Sequence, residues 1–406
     1  MNTGDLAWVL AASSLVMLMT PAVGLFYGGM VRRKNVLSTL MLSFSVLMII
    51  TLQWVLFGYS LSFGPDVGHF IGSLDWFGLH GVGSEINADY AGTIPHLAFM
   101  LFQMKFAIIT PALITGAFVE RIRYSGFLIF TLLWTTLVYD PIAHWMWGVG
   151  GWLKNLGALD FAGGTVIHIT AGVAALAVAL VVRKRKGYGT HAIEPNSILL
   201  TLLGAILLWF GWFGFNGGSA LGANELAVHA IITTNIAAAA ASLAWMALSW
   251  WEGRPSVIGV ATGTVVGLVA ITPACGFVGV PAAIIIGVVA TLVSYYCIQL
   301  RHRLRIDESL DVWACHGMAG MWGAVATGIF AEKAVNPAGA DGLLHGNVEL
   351  FWVQVLSVLV ASAFAFAATF LIAWLLERFY GLTVGIKEEE VGLDISQHGE
   401  ECLSGI

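Results

Sequence analysis

From residue 6 to residue 379 the chain alternates long apolar runs with short polar punctuation, and the runs have about the length, roughly 20 residues, that carries a helix across a bilayer. Eleven such runs stand out, at 6–31, 36–63, 91–119, 124–146, 161–182, 198–217, 226–250, 256–276, 278–300, 312–331 and 349–379. Helix is imposed here rather than read from periodicity. A segment in lipid must satisfy its own backbone hydrogen bonds, and these runs are far too long for the strands of a barrel. The pattern predicts an all-α polytopic protein in a lipid bilayer, with an eleven-helix membrane domain at 1–379 and a polar tail at 380–406.

The punctuation also sets an orientation. RRK at 32–34, Arg121 and Arg123, RKRK at 183–186, Arg254, then Arg301, Arg303 and Arg305, and finally Arg378 and Lys387 all follow odd-numbered runs. That places 15 of the 18 lysines and arginines on one side, against Lys154 and Lys333 on the other and Lys105 inside a run. The positive-inside rule then puts the N-terminus outside and the tail in the cytoplasm.

An odd number of runs invites a search for two halves of opposite orientation plus one helix. LFYGG at 25–29 echoes GFNGG at 214–218; ITP at 109–111 returns at 271–273; LDFAGGTVIH at 159–168 is matched by LDVWACH at 310–316. The echoes fall in order with an offset of five runs, the signature of inverted repeats around a shared midplane site. The halves are about 6–182 and 198–331, with 349–379 as the extra helix, and His168 and His316 become counterparts.

Composition agrees with this class. The 406 residues are 58% hydrophobic and 10% charged, with a mean hydropathy of +0.84, which excludes an ordinary soluble domain. A net charge of −6 gives no reason to expect nucleic acid as a partner. Cys275, Cys297, Cys315 and Cys402 form no CxxC or paired spacing, so neither a disulfide framework nor a zinc site is expected. MNTGDLAWVL lacks the charged start and small-residue cleavage site of a signal peptide, and the first run is expected to be retained.

Ionisable groups inside apolar runs are expensive and face a bundle interior or a pathway, so Asp160, His168 and His316 call for an explanation. A lone buried histidine has a plain one, a hydrogen bond to a carbonyl of a neighbouring helix. Pairing through the repeat gives another: two imidazoles meeting at the centre, sharing one N–H···N bond and offering a donor and an acceptor to a small polar solute. Asp160 lies about 12 Å of helix from His168 and is expected to cap the fifth helix, while lending negative potential to its mouth. Asp311 is expected to cap the tenth in the same way. Phe102 and Phe106, Trp147, and Trp212 with Phe215 and Ser219 form an aromatic set with one hydroxyl, suited to a weakly hydrated polyatomic cation. Aromatic residues at helix ends also form interfacial belts. An enzyme with the two histidines as metal ligands lacks a third ligand, so neither catalysis nor a metal or other cofactor is expected.

GLFYGGMVRRKNVLS (24–38), DFAGGTVIHI (160–169), GWFGFNGGSA (211–220), ITPACGFV (271–278), DVWACHG (311–317) and GLDISQHGE (392–400) together span nearly the whole chain. By these motifs the sequence resembles the ammonium transporter (Amt/Mep/Rh) family, in its bacterial and archaeal Amt branch. The resemblance implies a homotrimer in the cell's inner (plasma) membrane with one pore per subunit, in which ammonium is captured outside and ammonia crosses a hydrophobic pore. It implies that Trp147, Ser219 and Phe102 recruit ammonium, with Asp160 stabilising that region; that Phe106 and Phe215 close the pore beneath; that His168 and His316 are the central pair; and that Trp212 and Tyr27 line the pore. Three features depart from the pattern. The stretch after Trp147 reads GVGG, one residue longer than three glycines in a row; Lys105 directly precedes the gate residue Phe106 and is expected to snorkel to the outer interface; and only a short EEE separates TVGIK from the tail motif. The tail is where PII-type regulators act in the family. Its shortening, with Lys105, raises an alternative, a non-conducting ammonium sensor coupled to a cytoplasmic signalling module.

Overall fold

The computed structural model describes residues 1–402; the last four residues of the predicted tail lie outside it. The chain is mostly helical. Its long helices are α1 (Thr3–Met30), α2 (Val36–Gln53, continued through a π turn at Trp54–Gly58 into Tyr59–Phe63), α3 (His96–Ile114) and α4 (Tyr124–Trp134, a π turn at Thr135–Tyr139, then Asp140–Trp147). They continue with α5 (a π turn at Gly164–Ile169 leading into Thr170–Val181), α6 (Ile198–Gly218), α7 (Glu225–Glu252), α8 (Val257–Ile271), α9 (Val280–Arg303), α10 (a π turn at Trp313–Met318 leading into Ala319–Phe330) and α11 (Val348–Phe379). Among the described residues, nine helices are long and apolar enough to cross a membrane. The other two of this set fall short for visible reasons: α8 is shorter, and α10 is diluted by His316 and four glycines. Several helices start on side-chain caps drawn from the polar punctuation, with Asn2, Ser197, Asn224, Ser256 and Asn347 each accepting a backbone N–H of the first turn.

In a bilayer, helices gain little from hiding apolar surface from one another, so close backbone approach through small residues carries much of the packing. The α1–α6 pair shows this directly. A Cβ at Gly204 would sit 2.4 Å from the Phe26 nitrogen, one at Gly214 2.6 Å from the Leu15 Cβ, and one at Gly218 2.6 Å from the Ala12 Cβ. The glycines therefore define how near the two helices lie.

On the tail side, polar groups that lipid would not tolerate are gathered into one buried ionic cluster. Arg185 grips the Asp307 carboxylate with Nε and Nη2 at 3.0 and 2.7 Å to Oδ1 and reaches Glu120 at 3.0 Å. Glu120 also accepts from Arg32 Nε at 2.9 Å and Asn35 Nδ2 at 3.0 Å. Burial alone raises the Glu120 pKa, but Arg185 and Arg32 outweigh it and hold the carboxyl below its usual range. The tail joins this cluster despite its short linker. Glu389 pairs with Arg183, Leu393 N donates to Asn35 Oδ1 at 2.9 Å, and the Asp394 carboxylate accepts from Leu37 and Ser38 at the start of α2, at 3.1 and 2.7 Å.

The interior of α4 holds ionisable groups that its apolar run concealed. Asp140 is fully buried, accepting from Gln53 Nε2 at 2.7 Å and Ser62 Oγ at 3.2 Å, and His144 Nε2 lies 2.9 Å from Asp66. These contacts tie α4 to the second half of α2 and to the segment that follows it.

Gly204→Ala is expected to lower the melting temperature of the purified protein by several degrees, since the new methyl meets backbone, whereas Gly92→Ala, with open space around it, leaves it unchanged. Glu120→Gln takes one carboxylate partner from each of two arginines, leaving Arg185 to Asp307 and Arg32 to Glu389, and is expected to cost about 1–3 kcal/mol at neutral pH. Because the Glu120 pKa is depressed on folding, its contribution is fully present above pH 4.5 and lost as pH falls through the depressed value. The melting difference between parent and variant should therefore shrink on acidification.

Candidate functional site

The site is built where α5 crosses α10. Gly172 faces Gly317 so closely that a Cβ on it would lie 2.0 Å from the Gly317 nitrogen, and a Cβ on Gly320 would lie 3.1 Å from the Gly164 carbonyl and 3.2 Å from the His168 Cβ. Gly172 and Gly320 each follow a histidine by four residues, in HITAG at 168–172 and HGMAG at 316–320. Four residues is about one turn, so each glycine shares a face with its histidine. Bringing the glycines together brings the histidines together. His316 Nδ1 and His168 Nδ1 are 3.2 Å apart, and both side chains sit in the π turns that open their helices.

One ring must donate across that contact and the other accept, so a neutral pair leaves one Nε2 as a donor and the other as an acceptor. His168 Nε2 is buried without a hydrogen-bond partner, a group that a passing polar solute can satisfy. The imidazoles are held by aromatic faces. His168 stacks on His316 at 5.4 Å, on Trp212 at 5.3 Å and on Phe215 at 5.8 Å between centroids, and Trp212 is fixed through its Nε1 to Thr272 Oγ1 at 2.9 Å. Phe215 in turn meets Phe106 edge-on at 4.6 Å, and Phe102 stands against Phe106 at 4.8 Å.

Three separate cavities lie around these rings. On the N-terminal side a cavity of about 230 Å³ is lined by Phe106, Trp147, Asp160 and Ser219, with Asp89, Tyr90 and Lys154 from the connecting segments. On the tail side one of about 350 Å³ is lined by Tyr27, Asp311, Cys315 and His316. Between them lies a gap of about 10 Å³ walled by Tyr27, Leu113, His168, Leu208, Trp212 and His316. That volume is about what a single water needs.

The first cavity owes its shape to Asp160. Its carboxylate accepts four backbone N–H groups, from Gly163, Gly164, Thr165 and Val166, at 2.6 to 3.1 Å, closing the start of α5 as expected. Its carbonyl accepts from Trp147 Nε1 at 2.9 Å, which fixes the indole across the loop. Ser219 donates its hydroxyl to the Phe215 carbonyl at 2.8 Å, leaving the oxygen lone pairs available.

The expected site residues gather around these cavities and the rings between them; Phe102 and the expected cap Asp311 differ in detail. Phe102 lies behind Phe106, packed on Gly218, rather than on the cavity wall. The α10 cap is Glu308, whose carboxylate accepts from Val312 and Trp313 at 3.0 and 3.3 Å; Asp311 has a left-handed backbone and is taken by Arg301 at 2.6 Å. Burial and the Asp311 carboxylate push the Glu308 pKa up to about 7. Lys105 lines none of the three cavities; its amine lies near the Met104 sulfur. Asp89, Tyr90 and Lys154 were not anticipated, since they reach the cavity from loops whose pairing no local pattern specifies. The recurring H-x-x-A-G was the available signal for the helix crossing.

Known proteins match this chain along nearly its whole length. The Ammonium Transporter Family model matches residues 7–402. The ammonium transporter Amt1 of Archaeoglobus fulgidus is 51% identical over 98% of this chain and 99% of its own. Among solved structures, Mep2 of Candida albicans superposes with a TM-score of 0.89 at 36% identity, covering 96% of this chain and 88% of that one. A structure titled Sensor Amt Protein gives 0.90 at 29% identity, covering 98% of both chains. With the motifs, the fold and relatives of this similarity in agreement, the chain belongs to the ammonium transporter family.

Proposed function

We propose that this protein carries ammonium across the cell membrane by binding the ion at the cavity that contains Trp147 and passing ammonia through the gap at the histidine pair. The observation that carries this reading is the sequence of spaces: a polar-rimmed cavity, a ring-sealed gap of about 10 Å³, and a second cavity beyond. A bare charge entering so small an apolar space loses tens of kcal/mol of hydration. Ammonium avoids that loss by leaving its proton behind, which potassium cannot do. The Trp147 and Phe106 faces attract the cation, worth about 0.5–2 kcal/mol per favourable ring, and the Ser219 oxygen accepts one N–H. Asp160 holds the wall in place, and Phe102 backs the ring of Phe106. Ammonia then passes between Phe106 and Phe215, and His168 and His316 satisfy its donor and lone pair as it goes, with Tyr27 and Trp212 along the wall. The proton follows separately through the pair.

This reading takes all eleven helices of the set as membrane-crossing, with α1–α5 and α6–α10 as inverted halves and α11 added. The shared His-x-x-Ala-Gly turns and the opposed caps of α5 and α10 support it. It places the N-terminus outside, the tail of 380–406 in the cytoplasm as the contact for a PII-type regulator, and three subunits together in the plasma membrane. A sensor that binds ammonium without passing it is the second reading, favoured by the likeness to the Sensor Amt Protein; the relative named as a transporter is the more similar in sequence.

Proteoliposomes with an internal pH reporter and a clamped potential test this: ammonium-driven flux supports the transporter, and saturable binding without flux supports the sensor. Trp147→Leu is expected to raise the half-saturating ammonium concentration about tenfold with a smaller effect on maximal rate. Asp160→Ala, which strands four N–H groups, is expected to abolish flux and lower the melting temperature together, while Asp160→Asn retains part of both.

A further inference from the structure

The cavity proposed to receive ammonium already contains an ammonium group. Lys154 lies on a short helix, Trp152–Asn155, that the GVGG turn folds back over the end of α4. That turn is tight: Gly150 has a φ of 92° against Asp66, and a Cβ on Gly151 would lie 2.0 Å from the His144 carbonyl. Folded this way, Lys154 Nζ donates to the Trp147 carbonyl at 2.9 Å and sits 5.7 Å from the centre of the Tyr90 ring. The ring is fixed. Its hydroxyl donates to the Phe63 carbonyl and accepts from Val149 N at 3.1 Å, and its face stacks on Phe99 at 5.0 Å. Among the described residues no other lysine or arginine lines this cavity, and Asp89 and Asp160 are its acids. Asp160 is engaged by four backbone N–H groups, which leaves Asp89 as the carboxylate free to balance charge there.

A carbonyl oxygen and an aromatic face are also the acceptors a free ammonium ion seeks. We propose that Lys154 sets the affinity of the site by acting as a tethered competitor, holding the Trp147 carbonyl and the Tyr90 face and repelling the incoming cation. This rests on the transport reading for its physiological meaning but makes a separate claim about binding. Part of the interaction with Trp147 is the ordinary attraction of a cation to a helix C-terminus, so a purely structural cap is the alternative to be distinguished.

The test compares K154Q, which can still donate to the Trp147 carbonyl but carries no charge, with K154R, which keeps the charge, and with D89N at an exposed position. Ammonium flux into proteoliposomes is measured at low and high ionic strength, and ammonium binding to purified protein is measured by calorimetry. K154Q is expected to lower the half-saturating concentration by about three- to tenfold at low salt, the difference narrowing as salt rises. K154R, which keeps the charge, should not lower the half-saturating concentration, and D89N should raise it. An unchanged or higher value in K154Q overturns the proposal, as does a drop in melting temperature with no change in affinity, which assigns Lys154 to capping alone. A misfolded K154Q leaves D89N to decide: an unchanged half-saturating concentration there overturns the proposal. If the parent passes no ammonium, the transport reading fails, and calorimetry still decides this claim by whether K154Q or D89N shifts the binding constant.

Discussion

The contact on which the rest depends is the crossing of α5 and α10, where glycine backbones meet with no side chain between them. A methyl at Gly172 would collide with the Gly317 nitrogen, so the separation of the two helices, and with it the 3.2 Å between the histidine nitrogens, is fixed by the absence of a Cβ. Apolar surface cannot supply this in lipid, because lipid is as apolar as a leucine. Close packing and hydrogen bonding remain, and this crossing uses both, glycine against backbone and imidazole against imidazole. The π turns at Gly164–Ile169 and Trp313–Met318 fall at the same place, so the irregular backbone and the polar side chains occur together where they are shielded from lipid.

The ends of the two helices solve a second problem in matching ways. Each begins with backbone N–H groups that have no partner one turn back, and each has a carboxylate to take them, Asp160 for α5 and Glu308 for α10. The caps lie on opposite sides of the molecule, one in the cavity near Trp147 and the other beside the ionic cluster that anchors the tail. In the transport reading, a capping carboxylate thus stands at the mouth on one side and near the exit on the other. In the proposed cycle the mouth beside Asp160 favours a cation while the centre excludes one.

Much of this was legible in the sequence because the bilayer limits the choices. The long helices could be placed from apolar length alone, and the histidine pair from an echo between two halves. What escaped was set by contacts between distant segments. Asp140 sat inside a run read as apolar and finds Gln53 and Ser62, which lie on α2. Asp311 occupied the usual cap position before its helix, but Arg301 claims it, and Glu308 reaches the N–H groups instead. In the sequence Lys154 was only one of two basic residues on the sparsely charged side. Its meeting with Tyr90 depends on how the GVGG turn folds back, which neither segment encodes by itself.

The central claim is that charge does not cross the narrow gap as an ion, and that the histidine pair relays the proton while ammonia passes. Solid-supported-membrane electrophysiology on proteoliposomes of the parent, His168→Ala and His316→Ala, with jumps of ammonium and of potassium, tests it most directly. The account predicts a sustained, saturable ammonium current and no potassium current in the parent, with the ammonium current lost or its selectivity against potassium broken in both variants. Currents of parental size and selectivity in both variants would contradict it.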